Sequence, residues 1–167
     1  MMKKLLILIL LIFSKACFSQ GNGYFNDIDK ALKNPNSVII LDLEKQKIKQ
    51  IPSSIFNFIN LEKLILKRNY IKVVPKEICL LTKLHYLDIS SNYISELPQQ
   101  MHSLKLDTLI MWDNRVREFN EEFKVMGTTL KYLDLRAIQM NKKEQTEIRK
   151  LFPHAQIRFG HPCNCNR

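Results

Sequence analysis

The chain has almost no glycine. Gly21, Gly23, Gly127 and Gly160 are the only four in 167 residues, too scattered for a loop that folds backbone N–H groups around a phosphate. Four cysteines, Cys17, Cys79, Cys163 and Cys165, are too few for a disulfide-built scaffold. Cys163 and Cys165 are separated only by Asn164, too close for an unstrained bridge, and two thiolates alone make an incomplete metal site. None of His85, His102, His154 and His161 lies four residues from another histidine, so there is no helical zinc pair. Ser90-Ser91 lacks the context of a nucleophile elbow. No catalytic residue, metal or cofactor is expected. Long apolar runs are missing too: the nine residues Leu5 to Phe13 fall well short of the about 20 that a membrane-spanning helix needs.

That short run has another meaning. Met1-Met2-Lys3-Lys4 precedes it, and Ser14 to Gln20 follows with small and polar residues, which is the layout of a secretory signal peptide. Cleavage is expected after Ser19, with residues 1–19 removed and Gln20 as the new N-terminus. The rival reading makes Cys17 the lipidated residue of a bacterial lipoprotein; Lys15, two residues before it, and the lack of a leucine three before it argue against that. The expected location is therefore secreted, periplasmic or at the cell envelope, with membrane attachment only if Cys17 is lipidated. The formal charge of +10 falls to +7 once three signal lysines are gone. The remaining cations are spread over loops and both ends, and an exported chain rarely meets nucleic acid, so none is expected as a partner.

What the chain has in abundance is leucine and isoleucine, 42 in all. They recur in columns. Leu61-x-x-Leu64-x-Leu66-x-x-Asn69-x-Ile71-x-x-Val74-Pro75 is followed by Leu84-x-x-Leu87-x-Ile89-x-x-Asn92-x-Ile94-x-x-Leu97-Pro98. Units starting at Val38, Leu106 and Leu130 fit the same template, so the starts step by 23, 23, 22 and 24 residues. A chance run of leucines would not repeat the asparagine and proline offsets as well. Asn69, Asn92 and Asn114 are expected to point inward, their amides bonding turn backbone that the bend leaves unpaired. Gln46 and Ile138 hold that column in the outer units.

This pattern resembles the leucine-rich repeat family, over residues 38–140 with a terminal unit to 159. The resemblance implies an α/β solenoid: a ladder of parallel strands lining a concave face, with loops and short helices on the convex face. No unit can bury its apolar side alone, so stability comes from stacking neighbours. Residues 20–37 read as an N-terminal cap. A short helix follows Asn26 or Asp27, stops before Pro35 and turns Ile28, Ala31 and Leu32 onto the first strand. Residues 141–159 read as a helix with Ile148, Leu151 and Phe152 as its contacts, a turn at Pro153, and a last strand through Ile157 and Phe159. Residues 160–167 form the cysteine-containing tail.

In such a solenoid the residues between the inward leucines project from the concave face. Numbered from each unit's first residue, the third, fifth, seventh and eighth positions give Ile40, Asp42, Glu44 and Lys45, then Lys63, Ile65, Lys67 and Arg68. The later units give Tyr86, Asp88, Ser90 and Ser91, then Thr108, Ile110, Trp112 and Asp113, and finally Tyr132, Asp134, Arg136 and Ala137. The only tryptophan lies among them, and aromatics with arginine are the types most enriched at binding hot spots. The candidate partner-binding set is Tyr86, Asp88, Ile110, Trp112, Tyr132, Asp134, Arg136, Lys63 and Lys67. Asp42, Asp88 and Asp134 recur in alternate units, roughly 10 Å apart, too far to share a metal ion. They also lie too far apart for a retaining pair of glycosidase carboxylates, which sit about 5 Å apart. Charge balance against Lys63, Lys67 and Arg136 is their expected role. A non-enzymatic, monomeric binding module for a protein or a glycan is expected; export plus a repeat solenoid is also what the resemblance to secreted bacterial members implies. The alternatives are an envelope-anchored structural protein or an enzymatic effector; with few residues after Phe159, no catalytic domain is expected.

Overall fold

The computed structural model describes residues 23–161. The expected signal segment, Cys17, and the Cys163 and Cys165 tail lie outside the described residues. Seven parallel strands form one sheet in chain order: β1 Tyr24–Phe25, β2 Ile40–Asp42, β3 Lys63–Ile65, β4 Tyr86–Asp88, β5 Thr108–Ile110, β6 Tyr132–Leu135 and β7 Gln156–Phe159. Leu41, Leu64, Leu87, Leu109, Leu133 and Ile157 pair in one continuous register, so the leucine columns of the sequence are columns in space. All but Ile157 are buried, and the outward neighbours on each strand are not, except for two aspartates described below.

The return paths of the first four units are short 3₁₀ turns. Ser53–Asn57, Lys76–Leu80 and Gln99–Ser103 each start directly after a proline, Pro52, Pro75 or Pro98. Proline fixes φ near the helical value and has no N–H to leave unpaired at a helix start. Ile55, Ile78 and Met101 point from these turns into the core against the strand leucines. Because a turn of four or five residues is shorter than a helix, units pack at the 22–24-residue step with one core running the length of the stack.

Between strand and return path the chain must bend sharply, and glycine is not used for it. The eighth position takes the left-handed conformation in every unit: Lys45, Arg68, Ser91, Asp113 and Ala137, with φ of 58°, 56°, 49°, 57° and 56°. Such a conformation costs a residue with a Cβ roughly 1–2 kcal/mol. The bend is held because the N–H groups there extend the ladder, Arg68 N–H to Ser90 O at 2.9 Å and Ser91 N–H to Trp112 O at 2.9 Å. This corrects the expectation that the eighth position is simply part of the strand face: its backbone forms the turn.

The caps differ from expectation at one end. β1 had no sequence signal, being two residues long, and it adds a strand ahead of the first repeat. Helix α1, Ile28–Leu32, is capped by Asp27, whose carboxylate accepts from Asp29 and Lys30 N–H. Ala31 is buried and Ile28 packs on the core, but Leu32 is exposed, because a single helical turn cannot turn three residues inward. At the other end α2, Lys142–Leu151, opens with a capping box between Asn141 and Glu144. Phe119 sits edge-on to both Phe123 and Phe152, ring centroids 5.5 and 5.4 Å away, joining α2 to the last 3₁₀ turns.

Gly127 makes that joint fit. A Cβ there would lie 2.4 Å from the Leu151 carbonyl oxygen, which is backbone and cannot swing aside. Gly127→Ala is expected to lower unfolding free energy by about 1–3 kcal/mol in urea melts, the range of an overpacked core. Gly160→Ala, whose Cβ would meet only Ala137 N at 3.4 Å, is expected to be near neutral.

Candidate functional site

The strand face is read in rows across the sheet. The third-position row runs Ile40, Lys63, Tyr86, Thr108, Tyr132 and continues to Gln156. The fifth-position row alternates: Asp42, Ile65, Asp88, Ile110, Asp134. Each carboxylate therefore has an isoleucine beside it, and no two meet across adjacent strands, where like charges repel. The seventh-position row holds Glu44, Lys67, Ser90, Trp112 and Arg136, aligned by the ladder bonds beyond the strands.

Cations and rings pair along these rows. Lys63 Nζ lies 4.1 Å from the centre of the Tyr86 ring on the neighbouring strand. Lys67 Nζ lies 6.0 Å from the Trp112 ring, two units away. Ser90, small and fully buried, stands between them in the row and leaves the space above it for the ring. Such pairs are worth about 0.5–1 kcal/mol at exposed sites and hold a tryptophan face in a defined position. Trp112, Tyr86, Tyr132 and Ile110 are half-buried, presenting apolar area without being free to swing. Burial, then the Asp88 carboxylate and Tyr132, push the Tyr86 phenol above its usual range, so its hydroxyl stays a neutral donor.

The aspartates do not project as expected. Asp134 is 2 % exposed and Asp88 7 %. Each turns its carboxylate back to the bend of its own unit. Asp42, Asp88 and Asp134 Oδ1 accept from the N–H of Glu44, Ser90 and Arg136 at 3.1, 3.0 and 3.1 Å. These are Asx turns that brace the bend in three units, while the units with Ile65 and Ile110 make the same bend without one. Asp134 also binds Arg136 in a fork, accepting from Nε at 2.9 Å and from the terminal nitrogen at 2.7 Å. The charge balance expected with Arg136 is thus present as a direct ion pair, Lys67 acts on Asp88 through its field alone, and the Lys63 and Lys67 ammonium groups lie over aromatic rings. What remains available on the face is Trp112, Tyr86, Tyr132, Ile110, Lys63, Lys67 and the exposed Arg136.

Among the described residues, no group of three or more His, Cys, Asp or Glu side chains is placed to hold a metal ion. An exposed pair of tyrosines, Tyr70 and Tyr93, stacks one residue beyond the asparagine column. The pair shares its offset from Asn69 and Asn92 in the sequence, but it lies outside the strand positions that the period-two pattern picks out.

A parallel ladder of short strands closed by 3₁₀ turns and tied at an asparagine column defines the class of the protein as a capped solenoid. Its repeats match the leucine rich repeat family model over residues 36–94 and 59–116. A leucine-rich repeat protein of Leptospira interrogans has a similar structure, with a TM-score of 0.73 and 30% identity over 78% of this chain and 33% of its own. Internalin C2 of Listeria monocytogenes gives 0.63 at 22% identity, over 81% of this chain and 57% of its own. The Listeria internalin InlF gives 0.59 at 18%, over 77% and 44%. No curated protein matches the chain in sequence. The chain is a leucine-rich repeat protein, and it spans only a third to somewhat over half the length of these solved relatives.

Asp88 provides a test of the turn role. Burial raises its carboxyl above the usual carboxylate range, against the Ser90 hydrogen bonds and the more distant Lys67 charge that lower it. A folded value above the unfolded one means that ionised Asp88 costs stability at neutral pH, and that the cost fades as pH falls through the folded value. Asp88→Asn keeps an acceptor for Ser90 N–H and is expected to be at least as stable as the parent at pH 7, with its advantage shrinking in acid. Asp88→Ala leaves that N–H unpaired and is expected to lose about 1–3 kcal/mol in urea melts at pH 7.

Proposed function

We infer that the chain is a non-enzymatic recognition module that binds a protein partner through the strand face, with Trp112 as the central anchor and Tyr86 and Tyr132 beside it. One observation carries this reading. The face's aromatic rings are half-buried, and lysines hold Tyr86 and Trp112 in place, so the contact area is preorganised and little side-chain entropy remains to be lost on binding. Lys63, Lys67 and Arg136 surround the rings with positive charge, and Ile110 adds apolar area between them. Asp88 and Asp134 act through the turns, fixing where Ser90 and Arg136 stand. The family likeness supports a general binding role and leaves the partner's identity to experiment.

Trp112→Ala and Tyr132→Ala are each expected to weaken capture of the partner by about tenfold or more, with circular dichroism unchanged. Binding that survives both changes rules out the strand face. Export belongs to the same reading, since the Lys3-Lys4 start and the Leu5–Phe13 run form a signal peptide. Mass spectrometry of the protein from its own cells is expected to find Gln20 at the N-terminus. An acylated Cys17 there would place the module on a lipid anchor instead.

A further inference from the structure

The loops leaving the strands carry a second surface. One residue past the asparagine column, the tenth position holds Lys47, Tyr70, Tyr93 and Arg115 in four successive units. The eleventh position turns inward, and the twelfth turns out again with Lys49, Lys72, Ser95 and Arg117. These two outward rows contain five cations and no carboxylate. None of the five has an ion-pair partner within 4.0 Å among the described residues.

The rows are built on fixed backbone. Tyr70, Tyr93 and Arg115 each donate their N–H to the preceding unit, to Ile48, Ile71 and Ile94 O, all at 2.8 Å. The Tyr70 and Tyr93 rings stack, with centroids 6.3 Å apart and planes at 21°, and the Arg115 guanidinium lies 5.2 Å from the Tyr93 ring. Yet the rings are open: Tyr70 is 46 % exposed, Tyr93 41 % and the adjacent Val73 63 %. Beside them runs a groove of about 730 Å³ with an apolar floor of Ile51, Val73 and Pro75 between Lys49 and Lys72. A second, separate hollow shares Tyr93 with it and is lined by Arg115 and Arg117, with Asp113 as its acidic residue.

We propose that this edge of the solenoid docks an extended acidic segment of a partner protein, independently of the strand face. Its carboxylates meet the unpaired lysines and arginines, and two aliphatic or aromatic side chains on one face of the segment cover the tyrosine pair. The apolar lining favours a peptide over a sulfated sugar, which gains from the cations but not from Val73. Spacing agrees: side chains on one face of an extended chain recur about every 6.6–6.8 Å, close to the 6.3 Å between the two rings.

The test uses a fluorescein-labelled, glutamate-rich peptide carrying a leucine pair, followed by anisotropy, with dextran sulfate and a glutamine-for-glutamate peptide alongside. Saturable binding of the acidic peptide is expected, weakened about tenfold or more by Tyr93→Ser and by Lys72→Glu. Binding should be lost with the glutamine peptide and unchanged by Trp112→Ala, which separates this edge from the strand face. Both altered side chains are exposed, and circular dichroism checks the fold; if Tyr93→Ser unfolds the chain, Lys72→Glu decides. The proposal is overturned by an absence of saturable binding up to about 1 mM, or by binding indifferent to these variants. It is equally overturned if dextran sulfate binds as tightly as the peptide and ignores Tyr93→Ser, since that marks a plain polyanion surface.

Discussion

The side-chain amides of Asn69, Asn92 and Asn114 join each unit to the one before it. Asn92 donates to Leu66 O of the preceding unit at 3.0 Å and to Ile89 O of its own at 3.0 Å, while its oxygen accepts from Ile71 N–H at 3.0 Å. Asn69 makes the same set to Leu43, Leu66 and Ile48, and Asn114 to Ile89, Met111 and Ile94. These backbone groups sit where the strand ladder ends and the return path has not begun, so no regular secondary structure pairs them. Left bare inside the core, each would cost about 1–3 kcal/mol. A single primary amide, with two donors and an acceptor, satisfies them at once and bridges two units in doing so. The longer Gln46 reaches the N-terminal cap in the first unit, donating to Asn26 O at 2.8 Å. In the last repeat a buried Ile138 replaces the amide with apolar contact toward the closing unit.

Everything on the outside depends on that inner column. Because stacking is secured by leucines and amides, the outward positions are free to differ between units while keeping their spacing. The strand face uses this freedom for Tyr86, Trp112 and Tyr132, and the loop edge for Tyr70, Tyr93 and their cations. Both surfaces rest on rigid backbone: the first on the strand register, the second on N–H bonds to the preceding unit.

Much of this was legible in the residues. The leucine columns placed the middle strand residues in register, because a buried face with period two leaves no other alignment. The Asn141 helix, with Ile148, Leu151 and Phe152 turned inward, and the pairing of Ile157 with Leu133 followed from the same spacing. The fate of the aspartates was not legible. A polar residue at an outward strand position reads as solvent-facing, but Asp88 and Asp134 lie next to a left-handed bend, and their short side chains reach its N–H first. β1 escaped because two residues carry no periodicity. Tyr70 and Tyr93 escaped because attention to the strand leaves the loop offsets unread.

Amide hydrogen exchange on an Asn92→Ala variant tests the dependence on the asparagine column most directly. The account predicts that the Ile71 amide, bonded only to the Asn92 side chain, loses its protection, and that amides of the flanking strands β3 and β4 follow because the units separate there. Units near the two caps should exchange as in the parent. If Ile71 keeps its protection, or the loss spreads evenly over the whole chain, the asparagine amides do not hold the stack together.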